Sequence, residues 1–249
     1  MKTITILLIT ASGLAAQTPV NSTILVKPGQ KINMHFDYPE LIKVSTWDKN
    51  EISITGSVSI NQGESDDAFT LDINTTDDAV SIDSYIKNMK NLPQRITVTQ
   101  NGKKIMFNTK ADYKKYAEET GKDYSHMSWG VDVDILLEIK VPRNTETKIE
   151  SVYGMVEVKN FIGALQVEAT YGGIDAALQE QSTGELIAET NYGQIYTNLA
   201  VKFNNQDLRD ENFHTYVAAR PGTGPRYSFE SKYGNVYLRK SNGFIFKEK

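Results

Sequence analysis

Four glutamates share one offset from four tyrosines. Glu150, Glu168, Glu189 and Glu230 each stand three residues before Tyr153, Tyr171, Tyr192 and Tyr233. Each of those tyrosines is followed by a glycine, at Gly154, Gly172, Gly193 and Gly234. If the segments stack as strands, the carboxylates form a column about 5 Å apart, which costs roughly 0.8 kcal/mol per pair even at the dielectric of water. Such a column invites a counter-charge. One reading is a calcium ion or a cationic ligand. The simpler one is a solvated strand face neutralised by Lys148, Lys159, Lys232 and Arg239, since exposed carboxylates are common. Tyr196 and Tyr237, four residues after Tyr192 and Tyr233, fall on the outward face and would suit stacking against sugar rings.

Other chemistries find little material. The chain has no cysteine, which removes thiol catalysis, thiolate zinc sites and disulfides. Its three histidines, His35, His126 and His214, are far apart. There is no His-Glu-x-x-His, Gly-x-Ser-x-Gly, phosphate-binding loop or dinucleotide fingerprint, so no catalytic residues, metal site or cofactor are assigned. The acidic pairs Asp66-Asp67 and Asp77-Asp78 read as turns. With 27 Lys+Arg against 31 Asp+Glu the net charge is −4, and no basic footprint for nucleic acid stands out. The 39% hydrophobic content of these 249 residues is enough for a sizeable core.

The elements that must position these residues are strands. Residues 1–16 (MKTITILLITASGLAA) come first, with Lys2 before the apolar run Ile4 to Ile9 and small residues after it. That is the layout of a secretory signal peptide, with cleavage after Ala15, and it implies export. No later apolar stretch is long enough to span a bilayer. Alternation then dominates: Leu41 to Ser45, Glu51 to Ile60, Phe69 to Ile73, Ala79 to Ile82, Ile96 to Thr99 and Val131 to Val141. Thr109 to Gly121 departs from it, with a capping-box-like start and a glycine stop, and reads as a short helix in an insertion over about 101–130. An insertion of this kind is more often decorative than an active-site lid.

The Tyr-Gly pairs recur at 18, 21 and 41 residues, the last close to two periods. Four residues before each tyrosine stand Ile149, Val167, Ala188 and Phe229, and two before stand Ser151, Ala169, Thr190 and Ser231. By strand parity this apolar, small, aromatic series points inward, and the glycine is expected to turn the corner with a positive φ. The next strand then places Val156, Ile174, Ile195 and Val236 inward. A unit of about 20 residues cannot bury its own apolar face, and stacked units bury theirs together. The expectation is an all-β fold, a single-stranded, right-handed β-solenoid occupying 17–249 as one domain. A second insertion over about 199–226, with strand-like runs at Leu199 to Phe203 and Phe213 to Ala219, should supply an extra strand pair projecting from the stack.

The segments Val141 to Val156 and Tyr227 to Lys240, with the opening strands Pro39 to Val44 and Trp47-Asp48, resemble the bacterial "putative adhesin" β-solenoid family. That resemblance covers roughly Asn21 to Lys240. It implies an exported envelope protein without agreed catalytic residues, so no site residue carries over from it. The reading is therefore an exported, non-enzymatic binding or scaffold protein of the bacterial envelope, in the periplasm or at the cell surface. Its partner would be a glycan or a protein ligand. The alternatives are a solenoid-based carbohydrate-active enzyme and a periplasmic structural or signalling partner.

Overall fold

The computed structural model describes residues 17–121, 124–203, 209–211 and 213–241, the third of these in its backbone only. The expected signal peptide lies outside the described residues. In chain order the first strands are β1 Thr18–Leu25, β2 Lys31–Phe36, β3 Leu41–Trp47, β4 Glu51–Ile60, β5 Phe69–Thr75 and β6 Ala79–Ile86. Next come β7 Arg95–Gln100, β8 Lys103–Phe107, helix α1 Lys110–Thr120, β9 His126–Gly130 and β10 Val133–Pro142. The repeat region holds β11 Thr147–Ser151, β12 Met155–Val158, β13 Leu165–Ala169, β14 Ile174–Leu178, β15 Glu185–Thr190 and β16 Ile195–Thr197. The chain continues through β17 Arg209–Glu211, β18 His214–Ala219, β19 Arg226–Ser231 and β20 Val236–Lys240.

The fold is all-β, with mixed strand order and, among the described residues, no closed barrel. One large sheet runs β1-β4-β10-β3-β12-β14-β20-β16 and the other β17-β18-β15-β19-β13-β11-β2-β6-β5. Five strand–corner–strand units, β2–β3, β11–β12, β13–β14, β15–β16 and β19–β20, place their first strand in the nine-stranded sheet and their second in the eight-stranded one. Neighbouring units pair in parallel.

Stacking in sequence order holds only for the first three units. β19 pairs with β13 on one side and β15 on the other, and β20 lies between β14 and β16. The last unit is thus inserted between the third and the fourth, and the 41-residue interval is not two periods of one climb. Packing rationalises the order. It sets Phe229, the largest side chain of its inward column, in register with Ala188, the smallest, with Val167 on its other side. Large beside small fills the layer without voids.

The inward assignments otherwise follow strand parity. Ile149, Val167, Ala188, Phe229, Val156, Ile174 and Val236 are fully buried. Ile195 is only half-buried because β16 is a sheet edge. These side chains belong to one continuous core shared by both large sheets. The helical segment is α1, capped by Thr109 Oγ1, which accepts the Asp112 N–H at 3.1 Å, and ended by Gly121 at φ 71°. Its excursion begins earlier than expected, because β7 pairs with β8 and β9 rather than with a large sheet. The second insertion also differs. Leu199 to Phe203 is not a strand, and β18 extends the nine-stranded sheet by pairing antiparallel with β15 instead of projecting from it.

Candidate functional site

Each repeat strand ends two residues before its tyrosine, and the corner that follows builds the site. The small residue there is buried, and where it is Ser or Thr its hydroxyl clasps the corner; Ala169 is buried without such a bond. Ser231 Oγ donates to the Gly172 carbonyl at 2.9 Å and accepts the Gly234 N–H at 2.9 Å. Thr190 Oγ1 likewise donates to Gly234 O and accepts from Gly193 N–H, and Ser151 Oγ donates to Gly154 O at 3.0 Å.

The corner glycines act differently from expectation. None of Gly154, Gly172, Gly193 and Gly234 adopts a positive φ. What they provide is close approach between units. A Cβ at Gly154 would stand 1.8 Å from the Pro39 carbonyl oxygen, and one at Gly172 1.9 Å from that of Gly154. At Gly234 it would stand 2.2 Å from Gly172 O, and at Gly193 2.0 Å from Gly234 O. The corners therefore nest in the spatial order of the units.

The tyrosines are corrected too. Parity predicts them inward, but the strand has already ended and the bend turns them out: Tyr153, Tyr171, Tyr192 and Tyr233 are 55%, 54%, 62% and 44% exposed. They stack into an external ladder, Tyr153–Tyr171 at 5.3 Å, Tyr171–Tyr233 at 5.2 Å and Tyr233–Tyr192 at 5.2 Å, with planes within 11° of parallel. Tyr38 continues it at one end, 5.7 Å from Tyr153, and Phe213 at the other, 6.1 Å from Tyr192. Sequence reasoning missed both ends. Tyr38 belongs to an undetected repeat unit whose Pro39 replaces the glycine, though Met34 and Phe36 stand at the inward offsets and signal it.

Beside the ladder, on the outer face of the nine-stranded sheet, the glutamates align in register as Glu150, Glu168, Glu230 and Glu189, with His35 in the equivalent place next to Glu150. Only one of the four suggested cations serves this column. Lys148 Nζ lies 2.6 Å from Glu150 and 3.2 Å from Glu168, whereas Lys159 pairs with Glu157, Arg239 with Asp175, and Lys232 lies over the Tyr233 ring. Histidines close both ends. His35 contacts Glu150 through Nδ1 at 3.1 Å and Asp37 through Nε2 at 3.0 Å, and His214 Nε2 lies 2.6 Å from Glu189.

The electrostatics follow from these neighbours. The Lys148 hydrogen bond outweighs partial burial and, with His35, holds the Glu150 carboxyl below its usual range. Burial alone would lower the His35 pKa, but the hydrogen bonds and charges of Glu150 and Asp37 more than offset it and the net shift is upward. Glu230, in the middle, forms no ion pair with the described residues. Its pKa is pushed up by burial and then by the charges of Glu189 and Glu168. Both His35 nitrogens are occupied by carboxylates, which suits a structural clamp rather than a base. Among the described residues no group of acids and histidines is arranged to hold a metal.

Tyr196 and Tyr237 lie outward on the eight-stranded sheet, as expected, and stack on each other at 5.1 Å and 11°. Tyr237 also carries the Arg239 guanidinium over its ring at 5.4 Å. Their facing surfaces are thereby covered, and a sugar ring could reach only what remains.

No protein-family model matches the chain, and no curated protein sequence matches it. Two solved structures are similar. One is described as a "putative cell adhesion protein" from Clostridium sporogenes ATCC 15579, at 12% identity and TM-score 0.43, covering 90% of this chain and 100% of that one. The other is described as a "putative adhesin" from Bacteroides fragilis NCTC 9343, at 10% identity and TM-score 0.22, covering 91% of this chain and 99% of that one.

Proposed function

We propose that the chain is an exported, non-catalytic binding or scaffold protein of a bacterial envelope. Its contact strip is the aromatic ladder with the flanking carboxylates, supported by the five units acting as a short β-solenoid. The observation that carries this reading is the ladder itself, six rings in line with four tyrosines about half exposed. A soluble surface rarely gathers this much aromatic area without a partner. The apolar run after Lys2 supports export.

The geometry narrows the ligand. Ring faces within the ladder are taken by neighbouring rings, so edges and hydroxyls remain for contact. A polymer laid along the column would meet one aromatic edge and one carboxylate per rung over most of its length. Regular hydroxyl donors and acceptors, as on an extended glycan, answer that periodicity better than an irregular protein surface does. The glutamates disfavour acidic polysaccharides and favour neutral or amine-bearing ones.

The test is binding of the full chain to immobilised neutral, amino and acidic polysaccharides, against the double variant Tyr171→Ser, Tyr233→Ser. The reading expects retention on a neutral or amino polymer and at least tenfold weaker retention for the variant, with the fold intact by circular dichroism. Equal retention of both proteins, or retention on none of the polymers, would overturn it.

A further inference from the structure

Out-of-order insertion has a second structural result, away from the ladder. The link from β14 to β15, residues 179–184, must pass behind the inserted β19–β20 unit and so advance two rungs, where the link from β12 to β13 advances one. At about 4.8 Å per rung this leaves a gap behind the stack. The gap is a cleft of about 850 Å³ between that link and the corner at Phe161.

Its walls are built rather than incidental. The segment at 222–225 is laced to the crossing link by Gly222 N–H to Thr183 O at 2.8 Å, Thr223 N–H to Gln181 O at 3.2 Å and Gly184 N–H to Pro225 O at 3.0 Å. The floor is buried Phe161, Leu178 and Tyr227, and the Tyr227 hydroxyl donates to the Phe161 carbonyl at 3.0 Å, which pins the ring. Gln181 and Thr223 stand exposed at the rim. Among the described residues Arg143 is the one charged side chain lining the cleft, and Asp48 pairs with it at 2.7 Å.

We propose that this cleft is a binding site for a small neutral sugar of one or two rings. The volume lies in the range of small-molecule sites. An apolar, partly aromatic floor matches the C–H face of a sugar ring, amide and hydroxyl side chains match its hydroxyls, and the paired arginine leaves no net charge for an ionic ligand to answer. Because the walls are already hydrogen-bonded together, little ordering accompanies binding. The site is independent of the ladder.

Saturation-transfer NMR on the full chain tests this with glucose, galactose, N-acetylglucosamine, maltose and cellobiose, and with glucuronic acid and glucosamine as charged probes. Transfer to at least one neutral sugar is expected, reduced at least tenfold in Gln181→Trp and in Thr223→Tyr. Both positions are exposed, and an unchanged melting temperature checks the fold. Tyr171→Ser, Tyr233→Ser should leave the transfer intact. The proposal is overturned by absence of transfer to every neutral sugar, by preference for a charged probe, or by transfer that survives both cleft variants. Loss of transfer in the tyrosine variant alone would also overturn it and would move the sugar to the ladder.

Discussion

Gly172 lies against Gly154 so closely that a methyl group on the first would meet the carbonyl oxygen of the second at 1.9 Å. The obstacle is backbone, which has no rotamer to yield. Gly172→Ala should therefore push two units apart, at about 1–3 kcal/mol or more. For a chain of this size that is a fall of several degrees in Tm at roughly 2–4 °C per kcal/mol. Gly102 is the useful contrast, with φ +75° and open space around it. Its alanine variant strains only the local backbone and should cost about 1–2 kcal/mol. A Gly172→Ala protein as stable as wild type by thermal melt would show that the units do not nest so closely.

Phe229 is fully buried between the third and fourth units. Phe229→Ala should cost about 3–5 kcal/mol, and the loss should be local before it is global. Hydrogen exchange is expected to accelerate first in β19, β20, β15 and β16, because the fourth unit meets its parallel partners only through the fifth. β2, β6 and β11 should keep their protection. Uniform acceleration across all strands would contradict the inserted order.

Between pH 3 and 9, two of the described groups make stability fall as pH rises, in separate windows. The folded pKa of His35 is raised above 6.5, so its contribution is fully present below that pH and is lost as pH climbs through the folded value. The folded pKa of Glu230 is raised above 4.5, so the folded state holds that proton more tightly and stability falls from pH 4.5 up to the folded value. His35→Gln should flatten the upper window and Glu230→Gln the lower, each by a few tenths of a kcal/mol because both sites are partly solvated. Glu150, lowered by Lys148 and His35, acts in the opposite sense below pH 4.5. Thermal melts from pH 3 to 9 read all three. An unchanged profile in His35→Gln would remove the clamp at that end of the column.

How much of this was legible in the sequence depends on whether local or distant residues decided it. Strand positions, the capped helix and the inward columns follow from alternation and capping, which are local. The glutamate column was legible because a constant offset survives any stacking order. The direction of the tyrosines was not, because strand parity says nothing once the strand has ended at Ser151, Ala169, Thr190 or Ser231. The Tyr38 unit was hidden by a proline in place of glycine and by one extra residue after the corner. The histidine ends of the column were invisible for another reason. His35 and His214 are brought to it by β2 and β18, elements far from each other in the chain. The order of the units was not legible either, since a 41-residue interval does not reveal that its end returns to a gap behind it.

The placement of β19–β20 also sets a schedule for assembly. A chain emerging N-terminus first can lay down its first three units in order, each finding an open edge. The fourth finds none to keep, since β15 and β16 gain their parallel neighbours only when residues 226–240 arrive. Until then β15 is held by its antiparallel ladder with β18, and β13 and β14 present bare edges of the sort that invite strand exchange between copies. The closing event is an intercalation, with two half-finished faces joined by one late segment. The molecule is locked by its final rung rather than lengthened by it.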